Sequence, residues 1–124
     1  MPVKLRYDRE KEILCVAVEN PFKLEEFEAA VKDIIESDQF PPDIGAVWDL
    51  RELDFTVFDR SFEEELINIQ KKYPERGEAR LALVTPDGHG FGMMRMYEGL
   101  SYGLPQRIKV FKSYTEAEDW LLQP

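Results

Sequence analysis

Two stretches of the chain gather side chains whose types and spacing could support chemistry. The first, from Asp49 to Ser61, holds Asp49, Arg51, Glu52, Asp54, Thr56, Asp59 and Arg60 around Phe55. Thr56 and Ser61 are its only hydroxyls, and phosphorylating either would place about two negative charges at the start of a helix, where the macrodipole favours them. Asp54, Asp59, Glu63 and Glu64 lie close in sequence and oppose that charge. The same hydroxyls suit helix capping, Ser61 with Glu64 three residues on, so a cap at Thr56 or Ser61 is the default expectation. Phe55, an aromatic among polar neighbours, reads as exposed, which suits a docking surface.

The second stretch is Thr85-Pro86-Asp87-Gly88-His89-Gly90-Phe91-Gly92, between a strand pattern and a helix pattern. Glycines in that context let backbone amides cradle a phosphate, but a dinucleotide fingerprint needs a glycine where Met93 stands, and no lysine followed by serine or threonine completes a triphosphate loop. A turn is the expectation. His89 is the sole histidine, and as a general acid or base with Asp87 it lacks a nucleophile or oxyanion donor. Catalysis would require His89, Asp87 and either Arg95 or Arg51 in one cleft. No catalytic residue is assigned, and the chain is expected not to be an enzyme.

One histidine and one cysteine, Cys15, make no zinc site. Asp49 with Asp54, or Glu63 with Glu64 and Glu65, offer oxygen ligands for a hard cation, but the glutamates fall in the first turns of a helix, where acids are favoured and face water. No metal or cofactor is expected. On the third helix Phe91 and Met94 would bury one face, but Met93, Met96 and Tyr97 fall around different sides, leaving more apolar surface than one buried face requires. Methionines adapt to irregular apolar partners, so the surplus points to a contact.

The elements that must position these residues follow from hydrophobic period. Val3, Leu5 and Tyr7 alternate with polar residues as a strand, and Asp8 to Lys11 turns the chain into a second, nearly continuous apolar strand, Ile13 to Val18, of the kind covered on both faces. Leu24, Phe27, Val31, Ile34 and Ile35 recur at helical spacing. Pro41-Pro42 separates that helix from a strand over 44–50. A second helix carries Phe58, Phe62, Ile69 and Tyr73 with Leu66 beside them, and stops at Pro74. A strand over 79–84, a glycine-broken helix over about 91–100 and a strand over 107–111 follow. Ser113 with Glu116 has capping-box spacing ahead of Ala117, Trp120 and Leu121. The fold class is α/β, a single mixed sheet of about five strands in the order β-β-α-β-α-β-α-β-α, with helices packed on it and an antiparallel opening pair.

The chain has 124 residues, the size of one ordinary domain over 1–124, with 44% hydrophobic and 33% charged residues. Its 25 acidic and 16 basic residues give a formal charge of −9, which repels nucleic-acid phosphates and anionic bilayers. No apolar run approaches the roughly 20 residues of a membrane span, and no export signal opens the sequence, so a cytoplasmic location is expected.

This element order resembles the STAS domain family, the sulfate transporter and anti-sigma factor antagonist fold, over the whole length. Val47-Trp48-Asp49-Leu50-Arg51, Phe91-Gly92-Met93-Met94-Arg95-Met96-Tyr97-Glu98 and Val110-Phe111-Lys112-Ser113, followed by Glu116 to Leu121, look more specifically like its bacterial SpoIIAA-like subgroup. The resemblance implies a regulatory or ligand-binding domain. Better understood relatives switch partners through a phosphorylated serine near the start of the second helix, in an Asp-Ser-Ser-Gly type loop, where this chain instead reads Asp54-Phe55-Thr56-Val57-Phe58-Asp59-Arg60-Ser61. The subgroup is also likened to lipid-binding domains.

Two functions from different classes follow. The first is a noncatalytic regulatory or protein-interaction module, using Asp49, Arg51, Phe55, Thr56 and Ser61 of the loop and Phe91, Met93, Met94 and Arg95 of the third helix, with homodimerisation as the simplest partnership. The second is a carrier of a small apolar or lipid-like ligand. A closed cavity above about 300 Å³ lined by Phe55, Phe91, Met93 or Met94 would favour the carrier, and a solid core under a flat exposed patch a protein partner.

Overall fold

The computed structural model describes residues 2–86 and 88–124, with Val57 described through its backbone alone. Asp87 lies outside the described residues. Strands β1 (Val3–Asp8) and β2 (Ile13–Val18) form the antiparallel hairpin, followed by α1 (Leu24–Glu36), β3 (Ala46–Asp49), α2 (Arg60–Lys71), β4 (Arg80–Val84), α3 (His89–Leu100), β5 (Arg107–Phe111) and α4 (Tyr114–Leu121). Short 3-10 turns occupy Phe55–Val57, Pro74–Arg76 and Ser101–Gly103.

The five strands lie in the order β1-β2-β3-β4-β5, antiparallel at β1–β2 and parallel beyond. Because the order advances one way from β2 to β5, crossovers of one hand carry all three connecting helices to the same face. The packing shows this. Leu14, Val16, Val18, Trp48, Leu81, Leu83 and Val110 meet α1, α2 and α3 in one large cluster. The alternate positions Cys15, Val47, Ala82, Val84 and Phe111 meet Ala117, Tyr114, Trp120 and Leu121 of α4 in a smaller one.

β2 is not covered on both faces throughout, as its apolar run suggests. Ala17 is exposed, because α4 has 8 residues, about 12 Å of helix, and sits over β3, β4 and β5. α2 also departs from the expected stripe. Its cap is Asp59, whose carboxylate accepts from the Phe62 amide at 2.8 Å, so neither Thr56 nor Ser61 caps it and Phe58 and Tyr73 lie outside the helix. Ser113 does cap α4, accepting from the Glu116 amide at 3.3 Å. Among the described residues no helix is long and apolar enough to cross a membrane.

Candidate functional site

The residues singled out in the sequence fall on both sides of the sheet. Asp49 and Arg51 lie on the α4 side of the sheet as a two-pronged pair, Arg51 Nε to Oδ1 and Nη2 to Oδ2 both at 2.8 Å, with the guanidinium 5.5 Å from the centre of the Tyr114 ring. Hydrogen bonding and charge from Arg51 hold the Asp49 carboxyl below its ordinary range. The loop beyond turns to the other side. Phe55 is 5% exposed and packs on Phe58 with ring centres 5.1 Å apart, so the expected stranded aromatic is a core residue. Thr56 is exposed, and its hydroxyl and amide both donate to Asp54, at 2.7 and 3.0 Å. Ser61 is exposed in the first turn of α2.

On α3, Met94 is buried, Phe91 and Met93 are half-buried, and Arg95 is exposed and paired with Glu98 at 3.0 Å. The Lys112 ammonium stands 4.7 Å from the centre of the Phe91 ring. His89 is exposed at the start of the helix. Arg51 and Arg95 are each engaged by a carboxylate of their own. Among the described residues no group of three or more His, Cys, Asp or Glu could hold a metal ion.

A site that the sequence did not mark lies between the sheet and the three-helix layer. It is a cavity of about 50 Å³, walled mainly by apolar and aromatic residues including Phe27, Trp48, Phe58, Leu66 and Met94. Three polar groups from separate parts of the chain also line it: Trp48 of β3, Arg76 of the turn after α2, and Gln106 just ahead of β5. They are only 6%, 5% and 6% exposed, and Trp48 Nε1, Arg76 Nη2 and Gln106 Oε1 have no hydrogen-bond partner. Arg76 Nη1 donates to the Pro42 and Ile44 carbonyls at 2.7 and 2.9 Å, which anchors the guanidinium. Burial pushes its pKa down to about 10, against the opposing charge of Asp43. Tyr97 and Gln70, also in the wall, satisfy one another through the tyrosine hydroxyl.

Outside this cavity is a surface groove of about 470 Å³ formed by Asn20, Pro21, Phe22, Lys23, Leu24, Asp54 and Phe62. Phe22 lines both spaces. Its half-buried ring stacks on Phe58 at 6.2 Å and meets Phe27 and Phe62 edge-on at 6.2 and 6.3 Å. Asn20 holds the groove wall, donating to the Glu52 carbonyl at 3.1 Å and accepting from the Asp54 amide at 2.9 Å.

No family model and no curated protein matches the sequence. Among solved structures, an uncharacterized protein of the DUF3478 family from Shewanella loihica PV-4, described as having a SpoIIAA-like fold, is similar with a TM-score of 0.63, over 96% of this chain and 91% of that one, at 16% identity. The likeness shows the fold: this chain is a five-stranded α/β domain of SpoIIAA-like architecture.

Proposed function

We propose that this SpoIIAA-like domain is a noncatalytic binding module whose ligand is a small, mostly apolar molecule taken between the sheet and the α1–α2–α3 layer. The observation that carries the reading is the set of unpartnered polar groups at Trp48, Arg76 and Gln106 on one apolar cavity. Each such group costs about 1–3 kcal/mol if left unmade, and a few polar groups in an apolar pocket are what fix a ligand's orientation. The inner cavity has room for only a few waters at about 10–15 Å³ each. It falls short of the 300 Å³ expected for a carrier and is lined by Met94 but not by Phe55, Phe91 or Met93. The reading therefore needs the outer groove as well, whose volume lies within the usual range of about 300–1,000 Å³ for ligand sites. In this proposal the Phe22 ring, which lines both spaces, is what a ligand displaces to join them.

Native mass spectrometry of protein purified from its own host tests this. A small molecule retained at one copy per chain is the expected result. A spectrum of the bare chain alone, under conditions gentle enough to keep a known weak complex intact, sinks the reading.

A regulatory, protein-interaction role is the second reading, and one observation favours it. The outward face of α3 and the turn after it carry Gly92, Met96, Gly99, Tyr102 and Gly103, with Met96 46% and Tyr102 94% exposed. A partner, the simplest being a second copy of this chain, would dock on that strip, with Arg95 at its edge. Sedimentation showing a dimer that Tyr102→Glu dissociates supports it; monomer alone at high concentration removes the homodimer.

A further inference from the structure

We infer that the cavity selects a ligand ending in a single carboxylate; this rests on the small-molecule reading above and adds the chemistry of its polar end. Trp48 Nε1 and Arg76 Nη2 are donors only, so what they want is an acceptor. The unpartnered atom of Gln106 is its amide oxygen Oε1, an acceptor, so it would take a donor on the ligand and not the carboxylate.

The charge balance narrows the choice further. Arg76 is a buried cation, and among the described residues no acidic side chain lines the cavity with it. Its Nη1 bonds are to backbone carbonyls, and Asp43 acts on it only through its field, without an ion pair. A buried charge without a counter-ion is a costly arrangement, and a guanidinium recognises a carboxylate with two parallel bonds. An amine would be repelled by Arg76. A neutral alcohol satisfies one donor and leaves the charge unpaired. A phosphate monoester brings a second negative charge with no second cation lining the cavity to meet it. The remaining wall, with Phe22, Phe27, Phe58, Leu66 and Met94 prominent, fits an alkyl or aromatic body.

Calorimetric titration with octanoate and with octanol at neutral pH tests the inference on the intact chain. Wild-type protein is expected to bind octanoate about tenfold more tightly than octanol, the worth of one charge-assisted pair. Arg76→Gln should bring that ratio to about one, chiefly by weakening octanoate. Because Arg76 also anchors the Pro42 and Ile44 carbonyls and its loss endangers folding, Trp48→Phe provides a second variant. It keeps an aromatic ring, removes the N–H, and should lower the ratio several-fold. Octanol binding as tightly as octanoate to the wild type, or an unchanged ratio in a folded variant, overturns the carboxylate and leaves a small-molecule site standing. Binding of neither probe overturns both.

Discussion

Glu63 stands four residues beyond the Asp59 cap, fully buried, with neither carboxyl oxygen bonded. Burial, helped by the charge of Asp59, pushes its pKa from 4.5 up to about 7. The folded chain thus holds this proton more tightly than the unfolded chain. The resulting stability is complete below about pH 4.5 and is lost as pH rises through about 7. The lowered carboxyls of Glu28, Asp49 and Asp54 act in the opposite sense, at lower pH, so they leave this window clear. Glu63→Gln stays neutral throughout; between about pH 5 and about pH 8 the wild type should lose roughly 2 kcal/mol more stability than the variant. Urea midpoints at the two pH values check it, and parallel losses would mean that the carboxylate is solvated. Sequence reasoning set Glu63 in water with Glu64 and Glu65, and only the latter two are exposed. Once the cap is at Asp59, position 63 falls three and four residues before Leu66 and Ile67 on the same buried stripe. Arg76 and Gln106 escaped for a different reason. Each sits beside a proline, glycine or charge in what reads as a polar connector, and period carries no information where no element is formed.

Local capping chemistry was legible where one candidate stood alone and ambiguous where several competed. Ser113 ahead of Glu116 is such a single candidate, and it caps α4. Before α2, Thr56 and Ser61 compete in the sequence, and Asp59, unmarked there as a cap, is the cap because the 3-10 turn at Phe55–Val57 commits Thr56 to Asp54 while Ser61 is already helical. Asp59→Ala should therefore cost about 1 kcal/mol, with Ser61→Ala within about 0.5 kcal/mol of wild type. Equal losses in thermal unfolding would reassign the cap. The glycines of α3 divide in the same way. A Cβ at Gly90 would meet the Phe55 ring at 2.8 and 2.9 Å, whereas one at Gly92 meets nothing within 4 Å. Gly90→Ala is thus expected to destabilise by about 1–3 kcal/mol through overpacking. Gly92→Ala should stabilise by up to about 1 kcal/mol through helix propensity. A glycine run that resembles a phosphate cradle in one dimension is, at Gly90, the floor under a buried phenylalanine in three.

At the scale of the molecule, the one-way strand order leaves the two faces of the sheet unequal. Three helices share one face and α4 alone covers part of the other, burying fully only Ala117 of its own residues. The β-β-α-β-α-β-α-β-α order and the parallel sheet were readable because period two and period 3.6 alternate cleanly along the chain. The division of helices between faces was not, since it depends on which strands become neighbours. Besides its small apolar contact, the Lys11–Glu118 ion pair at 3.1 Å and the Arg51 guanidinium over Tyr114, what holds α4 down is Arg80 of β4. Its Nη1 donates to the Trp120 and Gln123 carbonyls at 2.9 and 2.7 Å and its Nη2 to that of Pro124 at 3.3 Å, with the guanidinium 5.7 Å from the centre of the Trp120 ring. One side chain therefore satisfies carbonyls that the end of a helix leaves open, and places a positive charge at the negative end of its dipole. If α4 is the weakest-docked unit, Arg80→Ala should speed amide exchange across Tyr114–Leu121 by about fivefold to tenfold. Trp48 in β3, which faces the three-helix layer, should exchange as slowly as before relative to global unfolding. A uniform acceleration across both segments would instead mean that α4 and the central strands open together, and that the two unequal faces form one cooperative unit.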